Sequence, residues 1–292
     1  MLSDVAPLLR AGDAALGNLE TPLTDGPTAK CGAGSSRCYA FRAPPAYAAE
    51  LRAAGLDVVN LANNHALDGG AAGQAETVAA LDAAGLAHTG RPDEIAVVTA
   101  NGLRVALVGF APYPWAEDLR DLDGVRRLVR EAAKRADVVV ATMHGGAEGS
   151  DRTHVRPGPE SYLGEDRGDV VAFARAAVEA GADLVVGHGP HVVRGLEWYR
   201  GRLIAYSLGN ASGHGTLSTS GVLGVAGLLD VTLRADGTFR RGRLVPLRLV
   251  GDGRPTVDRT REAVRLAAEL SGADFGTRAA VPSESGALVP ED

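Results

Sequence analysis

The sequence predicts an α/β protein: a largely parallel sheet system with helices packed outside it. Three observations carry that expectation. Short, continuous apolar runs alternate with alanine-rich amphipathic stretches along most of the chain. Glycine stands where several of the amphipathic stretches would end, and clusters of polar residues follow the apolar runs. A strand covered on both faces is apolar throughout instead of alternating, and glycine closes helices because it takes positive φ without steric cost.

In chain order, Met1 to Arg10 reads as a helix and Ala14 to Leu16 as an apolar run before Gly17-Asn18-Leu19-Glu20. Pro45 to Ala54 reads as a helix closed by Gly55, and Leu56 to Ala62 as a β-branched strand. Gly73 to Ala84 is a helix closed by Gly85, and Leu103 to Phe110 a strand. Val125 to Arg135 and Asp169 to Ala180 are helices, each followed by a buried strand, Ala136 to Met143 and Ala182 to Val186. After Gly195 the texture changes to a meander: Gly201 to Leu208, Val222 to Leu233 and Gly242 to Val250, with a turn at Ala235-Asp236-Gly237. Arg259 to Leu270 is a last amphipathic helix. No repeat or linker interrupts residues 1–275, so they form one domain, and the Ser-, Gly- and Pro-rich 276–292 is expected to be a mobile tail.

Composition removes several classes. With 292 residues, 45% hydrophobic and a net charge of -6, the chain is neither disordered nor suited to nonspecific nucleic-acid binding. No apolar run reaches the roughly 18 residues a membrane span needs. No Gly-x-Gly-x-x-Gly follows a strand, which argues against a dinucleotide-binding domain. No signal peptide is visible in Met1 to Arg10, so the default location is cytoplasmic, unless an export signal or anchor lies upstream. Two cysteines, Cys31 and Cys38, share a glycine- and serine-rich loop. A bridge between them is sterically feasible and would imply an oxidising compartment; metal binding or two idle thiols are the alternatives.

Four loops past strand ends hold the chemistry. They carry Glu20; Asn63-Asn64-His65; His144-Gly145-Gly146 with Glu148 close behind; and Gly187-His188-Gly189-Pro190-His191. Ligand sites in open α/β sheets collect at such strand ends. Imidazole, carboxylate and amide oxygen together suit a borderline divalent metal, and a two-metal site needs a bridging carboxylate and several histidines. Glu20, Asn64, His144, His188 and His191 supply those donors. His88 reads as structural, and His154 and His214 as loop residues.

Those residues carry a resemblance. NLETPLTD around Glu20, FRAP (Phe41 to Pro44), NLANNHALDGG (Asn60 to Gly70), HGGAE, and GHGPHVVRGLEWYRGRLIAYSLGN (Gly187 to Asn210) resemble the bacterial capsule-synthesis family of the CapA type, which serves poly-γ-glutamate biosynthesis. The resemblance spans roughly residues 4–275. It implies a four-layer αββα metallophosphatase-like sandwich holding divalent metal ions, two in number, of Mn, Fe or Zn. By similarity, Glu20 would bridge the metals, Asn64, His144, His188 and His191 would complete the ligand set, and His65 would be the catalytic proton donor or charge stabiliser. Glu148, Tyr206 and Asn210 would contact ligands or substrate. Asp68 would orient a ligand histidine, and Arg42 would meet an anionic substrate group.

The sequence departs from the family at its start. Relatives usually open with a buried strand ending in Gly-Asp, whose aspartate joins the metal site; here Met1 to Arg10 already reads as the following helix, and Asp13 is no replacement. The sandwich is therefore expected without its first strand. A start at an internal methionine, a one-metal site, or a binding role without hydrolysis would each account for it. The first is favoured, because deleting a central strand leaves backbone groups unpaired. Gly145 replaces the Trp or Tyr usual after the metal-binding histidine and is expected to widen the pocket. Two functions follow. One is a metal-dependent hydrolase attacking a phosphoester or related bond with a metal-bound hydroxide. The other is a non-hydrolytic accessory protein that binds an anionic polymer such as poly-γ-glutamate. The partner is accordingly an anionic small molecule or polymer, with no nucleic acid.

Overall fold

The computed structural model describes residues 1–28, 30–31, 38–215 and 217–290. A short helix, α1 (Ala6–Leu9), precedes β1 (Leu16–Asn18). Helix α2 (Tyr47–Ala54) leads into β2 (Val58–Asn60), and α3 (Gly70–Ala83) into β3 (Ala87–Thr89). The hairpin β4 (Ala96–Ala100) and β5 (Leu103–Ala111) is followed by β6 (Glu117–Asp118), α4 (Leu122–Ala133) and β7 (Val138–His144). A small hairpin, β8 (Glu160–Tyr162) and β9 (Glu165–Gly168), comes before α5 (Val170–Ala180) and β10 (Leu184–His188). The chain continues through β11 (Leu196–Tyr199), β12 (Arg202–Ala205), β13 (Val225–Leu233), β14 (Phe239–Val250) and β15 (Arg254–Val257). It closes with α6 (Glu262–Phe275) and β16 (Ala287–Leu288).

The largest sheet has the order β11-β12-β10-β7-β5-β4, with β6 beside β5; its centre is parallel and its two outer strands antiparallel. A second sheet is the parallel β1-β2-β3, and a third is the antiparallel meander β13-β14-β15, joined by β16. Among the described residues β1 pairs on one side only, with β2.

Period-2 alternation assigns each strand residue to a layer. Val108, Phe110, Ala141, Met143 and Val185 face outward onto Leu128 of α4 and Phe173 of α5. Their neighbours face inward: Leu107 meets Val58 of β2, while Leu184 and Val186 meet Val225 and Leu244 of the meander. On the far side of the β1-β2-β3 sheet, Val59 packs against Ala48 of α2 and Leu81 of α3. The order is helix, sheet, sheet, helix, the αββα sandwich that the family resemblance implies. Each buried Val, Leu or Phe in these layers contributes roughly 1.5–3 kcal/mol of burial.

Helix ends follow the residues expected to cap them. Gly55 and Gly181 take φ of 112° and 117°, and the Asp169 side chain accepts from the N–H groups of Val171 and Ala172. The two sheets can close on one another at Gly109, where a Cβ would come within 2.1 Å of Asn60 Oδ1.

Two expectations are corrected. Residues 276–290 pack against the body instead of forming a mobile tail: Ala280 donates its N–H to the Leu196 carbonyl, β16 pairs with β14, and Ala280 and Leu288 are buried. Ala280 finds the edge of β11 and Leu288 that of the meander, which composition does not reveal. The polar stretch from Ser150 to Arg167 holds the β8–β9 hairpin. Gly145 does not widen a pocket, because a Cβ there would meet Leu119 Cδ2 at 2.7 Å and the Arg167 carbonyl at 3.0 Å. The small residue lets that hairpin close in.

Candidate metal centre between the sheets

The same alternation that builds the core delivers the polar residues to one place. Asn18 and Asn60 are register partners at the C-terminal ends of β1 and β2. His144 and His188 are register partners at the ends of β7 and β10. All four continue the inward-facing rows that begin at Leu16, Val58, Val140 and Leu184. The site therefore lies at the C-terminal rim of the two facing sheets.

An asparagine network holds the carboxylate side. Asn60 and Asn63 donate to Asn18 Oδ1 at 3.0 and 3.3 Å, and Asn18 Nδ2 donates to Glu20 Oε2 at 3.2 Å. Asn63 also donates to the Leu19 carbonyl and accepts from the His65 N–H, each at 3.0 Å. The Trp115 indole caps the loop by donating to the Asn63 carbonyl. This fixes Asn64 and His65 beside the Glu20 loop.

Glu20 Oε1 stands 3.7 Å from His144 Nε2 and 3.5 Å from His191 Nε2, and Glu148 Oε2 lies 3.9 Å from His191 Nε2. Asn210 Oδ1 is 2.7 Å from His191 Nδ1, which makes that nitrogen the donor and turns Nε2 toward Glu20. His191 holds φ of 60°, a left-handed conformation uncommon outside glycine. Burial raises the Glu20 carboxyl above its ordinary range. Burial, then the Arg167 charge, holds His144 well below the usual imidazole range, and burial brings His188 down to about 4. Both rings are neutral near pH 7 and offer lone pairs.

His65 belongs to a separate buried pair. Asp68, fully buried, holds His65 Nδ1 at 2.6 Å, and the Phe41 ring lies over His65 with centroids 4.2 Å apart. Asp68 thus orients His65, which is outside the expected ligand set. Glu148 and Asn210 both lie beside His191.

Two expected residues do not reach the site. Tyr206 follows the outward row of β12, stacks on Phe275 and donates to Glu197 at 2.7 Å on the opposite face of the sheet. Its place in YSLGN is one residue out of phase with the inward row. Arg42 is exposed and spends its guanidinium on the Gly26 carbonyl at 3.0 Å. The cation at the site is instead Arg167 from β9, buried with 1% exposure. Its Nη2 is 3.0 Å from Glu148 Oε1 and 3.3 Å from His144 Nε2, and Nη1 donates to the Tyr113 hydroxyl at 2.6 Å. Nothing in the sequence marked it, because it lies in a polar stretch with no apolar phase. Asn18 and Asn63 sit inside the motifs, and the two-residue spacing Asn18 to Glu20 was their available signal.

The fit of a metal can be judged from unpartnered atoms. Among the described residues, Glu20 Oε1, Asn64 Oδ1 and His188 Nε2 are buried without a hydrogen-bond partner. Leaving a buried polar atom unpaired costs about 1–3 kcal/mol, and all three are lone-pair donors of the types a borderline divalent ion takes. The donor chemistry fits. The spacing is open: among the described residues no three His, Cys, Asp or Glu side chains converge closely enough to enclose an ion as they stand.

The fold and the site together define a four-layer α/β sandwich with a histidine-, carboxamide- and carboxylate-lined rim. The chain belongs to the bacterial capsule synthesis protein PGA_cap family, whose pattern matches residues 1–212. It is 34% identical to the capsule biosynthesis protein CapA of Bacillus anthracis over 55% of this chain and 41% of that protein. It is 30% identical to the PGA biosynthesis protein CapA of Bacillus subtilis strain 168 over 70% of this chain and 54% of that protein. The chain thus spans about half the length of these curated relatives. A crystal structure of a hypothetical protein from Thermus thermophilus is 18% identical, covers 88% of this chain and 89% of its own, and superposes with a TM-score of 0.47. No helix among the described residues is long and apolar enough to cross a membrane.

Proposed function

We propose that this protein is a metal-dependent hydrolase acting on a phosphoester or related bond of an anionic substrate. The observation that carries the reading is the set of buried, unpartnered lone-pair donors, Glu20 Oε1, Asn64 Oδ1 and His188 Nε2, beside His144 and His191. These five residues would hold the divalent ions, which when bound supply Lewis-acid stabilisation of charge developing on the scissile group. The chain's own groups do the rest. Asn18 fixes the Glu20 carboxylate, and Asn210 fixes the tautomer of His191. Asp68 accepts the Nδ1 proton of His65, leaving Nε2 free to take up a proton and pass it on to the leaving oxygen. Arg167 neutralises Glu148, and burial, aided by the Arg167 charge, keeps His144 unprotonated.

The names of the Bacillus relatives favour a second reading, in which the same site binds an anionic polymer such as poly-γ-glutamate as an accessory to its synthesis. Chelator-stripped protein should be reloaded with Mn²⁺ or Zn²⁺, dialysed, and assayed on a chromogenic phosphoester. Stoichiometric retention with turnover, both lost in His188→Ala, is the expected result. Retention without turnover selects the accessory reading, and no retention overturns both.

A further inference from the structure

Cys31 and Cys38 form a disulfide, and the two chain arms that leave it converge on one buried pair. On one arm, Lys30 places Nζ 3.2 Å from Asp68 Oδ1, an ionic contact without hydrogen-bond alignment, and donates to the Asn64 carbonyl at 2.9 Å. On the other arm, the Phe41 N–H donates to Asp68 Oδ2 at 2.7 Å, and the Phe41 ring covers His65. Asp68 is thus held through one oxygen by each arm, and it in turn holds His65. Lys30 is one-third exposed, so its ion pair has little strength of its own. Its position depends on the covalent closure next to it, which removes the chain entropy that would let the arms drift apart.

We propose that the Cys31–Cys38 bridge is a redox-responsive clamp that positions His65 through Lys30, Phe41 and Asp68. Closed, it keeps the His65 ring in one orientation with Nδ1–H on Asp68. Reduction by a dithiol delivers two electrons and two protons, breaks the S–S bond into two thiols and closes the dithiol to its own disulfide. The arms then lose their covalent cross-link, and the hold on Asp68 slackens. The clamp would be shut in an oxidising compartment and open in a reducing one. Its relevance to turnover rests on the proton-handling role proposed for His65, but the positioning itself does not.

The test is the imidazole spectrum of the full-length, metal-free protein labelled with ¹⁵N at histidine, oxidised and after dithiothreitol. The oxidised protein should show a slowly exchanging Nδ1–H for His65. Reduction should speed its exchange about tenfold or more, as expected when a local hold is lost. The Nδ1–H of His191, fixed by Asn210 on a different loop, should not change and serves as the internal control. The paired substitution Cys31→Ser, Cys38→Ser should reproduce the reduced spectrum without reductant. Lys30→Met should give part of the effect with the bridge intact, and Lys30→Arg should restore the slow exchange. Equal exchange in both redox states, or a parallel change at His191, would overturn the clamp. A redox-sensitive His65 in a protein that turns over no phosphoester leaves the clamp standing and removes the hydrolase reading alone.

Discussion

At the residue scale, Arg167 and Arg42 show what a sequence can and cannot disclose about a charged side chain. Both are arginines in polar surroundings, yet one is buried against Glu148, His144 and Tyr113 while the other rests on surface carbonyls. Arg167→Ala should cost about 3–5 kcal/mol in urea unfolding, because Glu148 is left as an unpaired, largely buried charge. Arg42→Ala should stay within about 0.5 kcal/mol. A second prediction concerns His88, whose structural reading fits its contacts. Its Nδ1 lies 2.8 Å from Glu94 Oε1, too poorly aligned for a directed bond (the atom has no hydrogen-bond partner), so the attraction is ionic. The neighbouring Glu94 carboxylate raises the His88 imidazole above 6.5. Burial pushes the Glu94 carboxyl up, but His88 and Arg91 outweigh it and hold it at about 2, below its ordinary 4.5. Stability from Glu94 is complete above 4.5 and fades as pH falls toward 2; stability from His88 is complete below 6.5 and fades as pH rises through its raised value. The Tm difference between wild type and His88→Ala should therefore be largest between pH 4.5 and 6.5 and shrink on either side.

At the scale of elements, the buried parallel strands β2, β5, β7 and β10 were legible because each is a continuous apolar run, and for β2 and β10 a glycine-closed helix precedes it. Asn64, His144 and His188 drew notice because they stand one or two residues past apolar runs. Tyr206 was misread for want of phase: strand β12 was visible, but which alternate residues face inward depends on its pairing with β10. The β8–β9 hairpin and β3 were not visible, since Glu160 to Gly168 and Ala87 to Thr89 have no apolar pattern. Strand β10 is held so close to β12 that a Cβ at Gly187 would lie 2.2 Å from the Tyr206 carbonyl oxygen. Gly187→Ala should therefore destabilise by about 1–3 kcal/mol and displace His188, seen as a lower Tm together with weaker metal retention.

At the scale of the whole molecule, the αββα order was legible only through the family resemblance. The apolar runs announce sheets and helices, but not that β1-β2-β3 and the meander stack on one face of the larger sheet while α4 and α5 cover the other. Composition does not place the end of the chain, because Ala280 packs at strand β11 and Leu288 at the meander, two edges that only the fold provides. Removing residues 279–292 should accordingly lower Tm, by several degrees for about 2 kcal/mol lost. The central claim is that the rim of the sandwich is a metal site, and linkage tests it most directly. Chelator-treated protein should be unfolded thermally with and without Mn²⁺ or Zn²⁺, alongside His188→Ala. An ion bound by the folded state alone adds about 2.7 kcal/mol at a hundred times its Kd. A rise in Tm in the wild type that is absent in His188→Ala is the predicted result; no rise, or an equal rise in both, would contradict it.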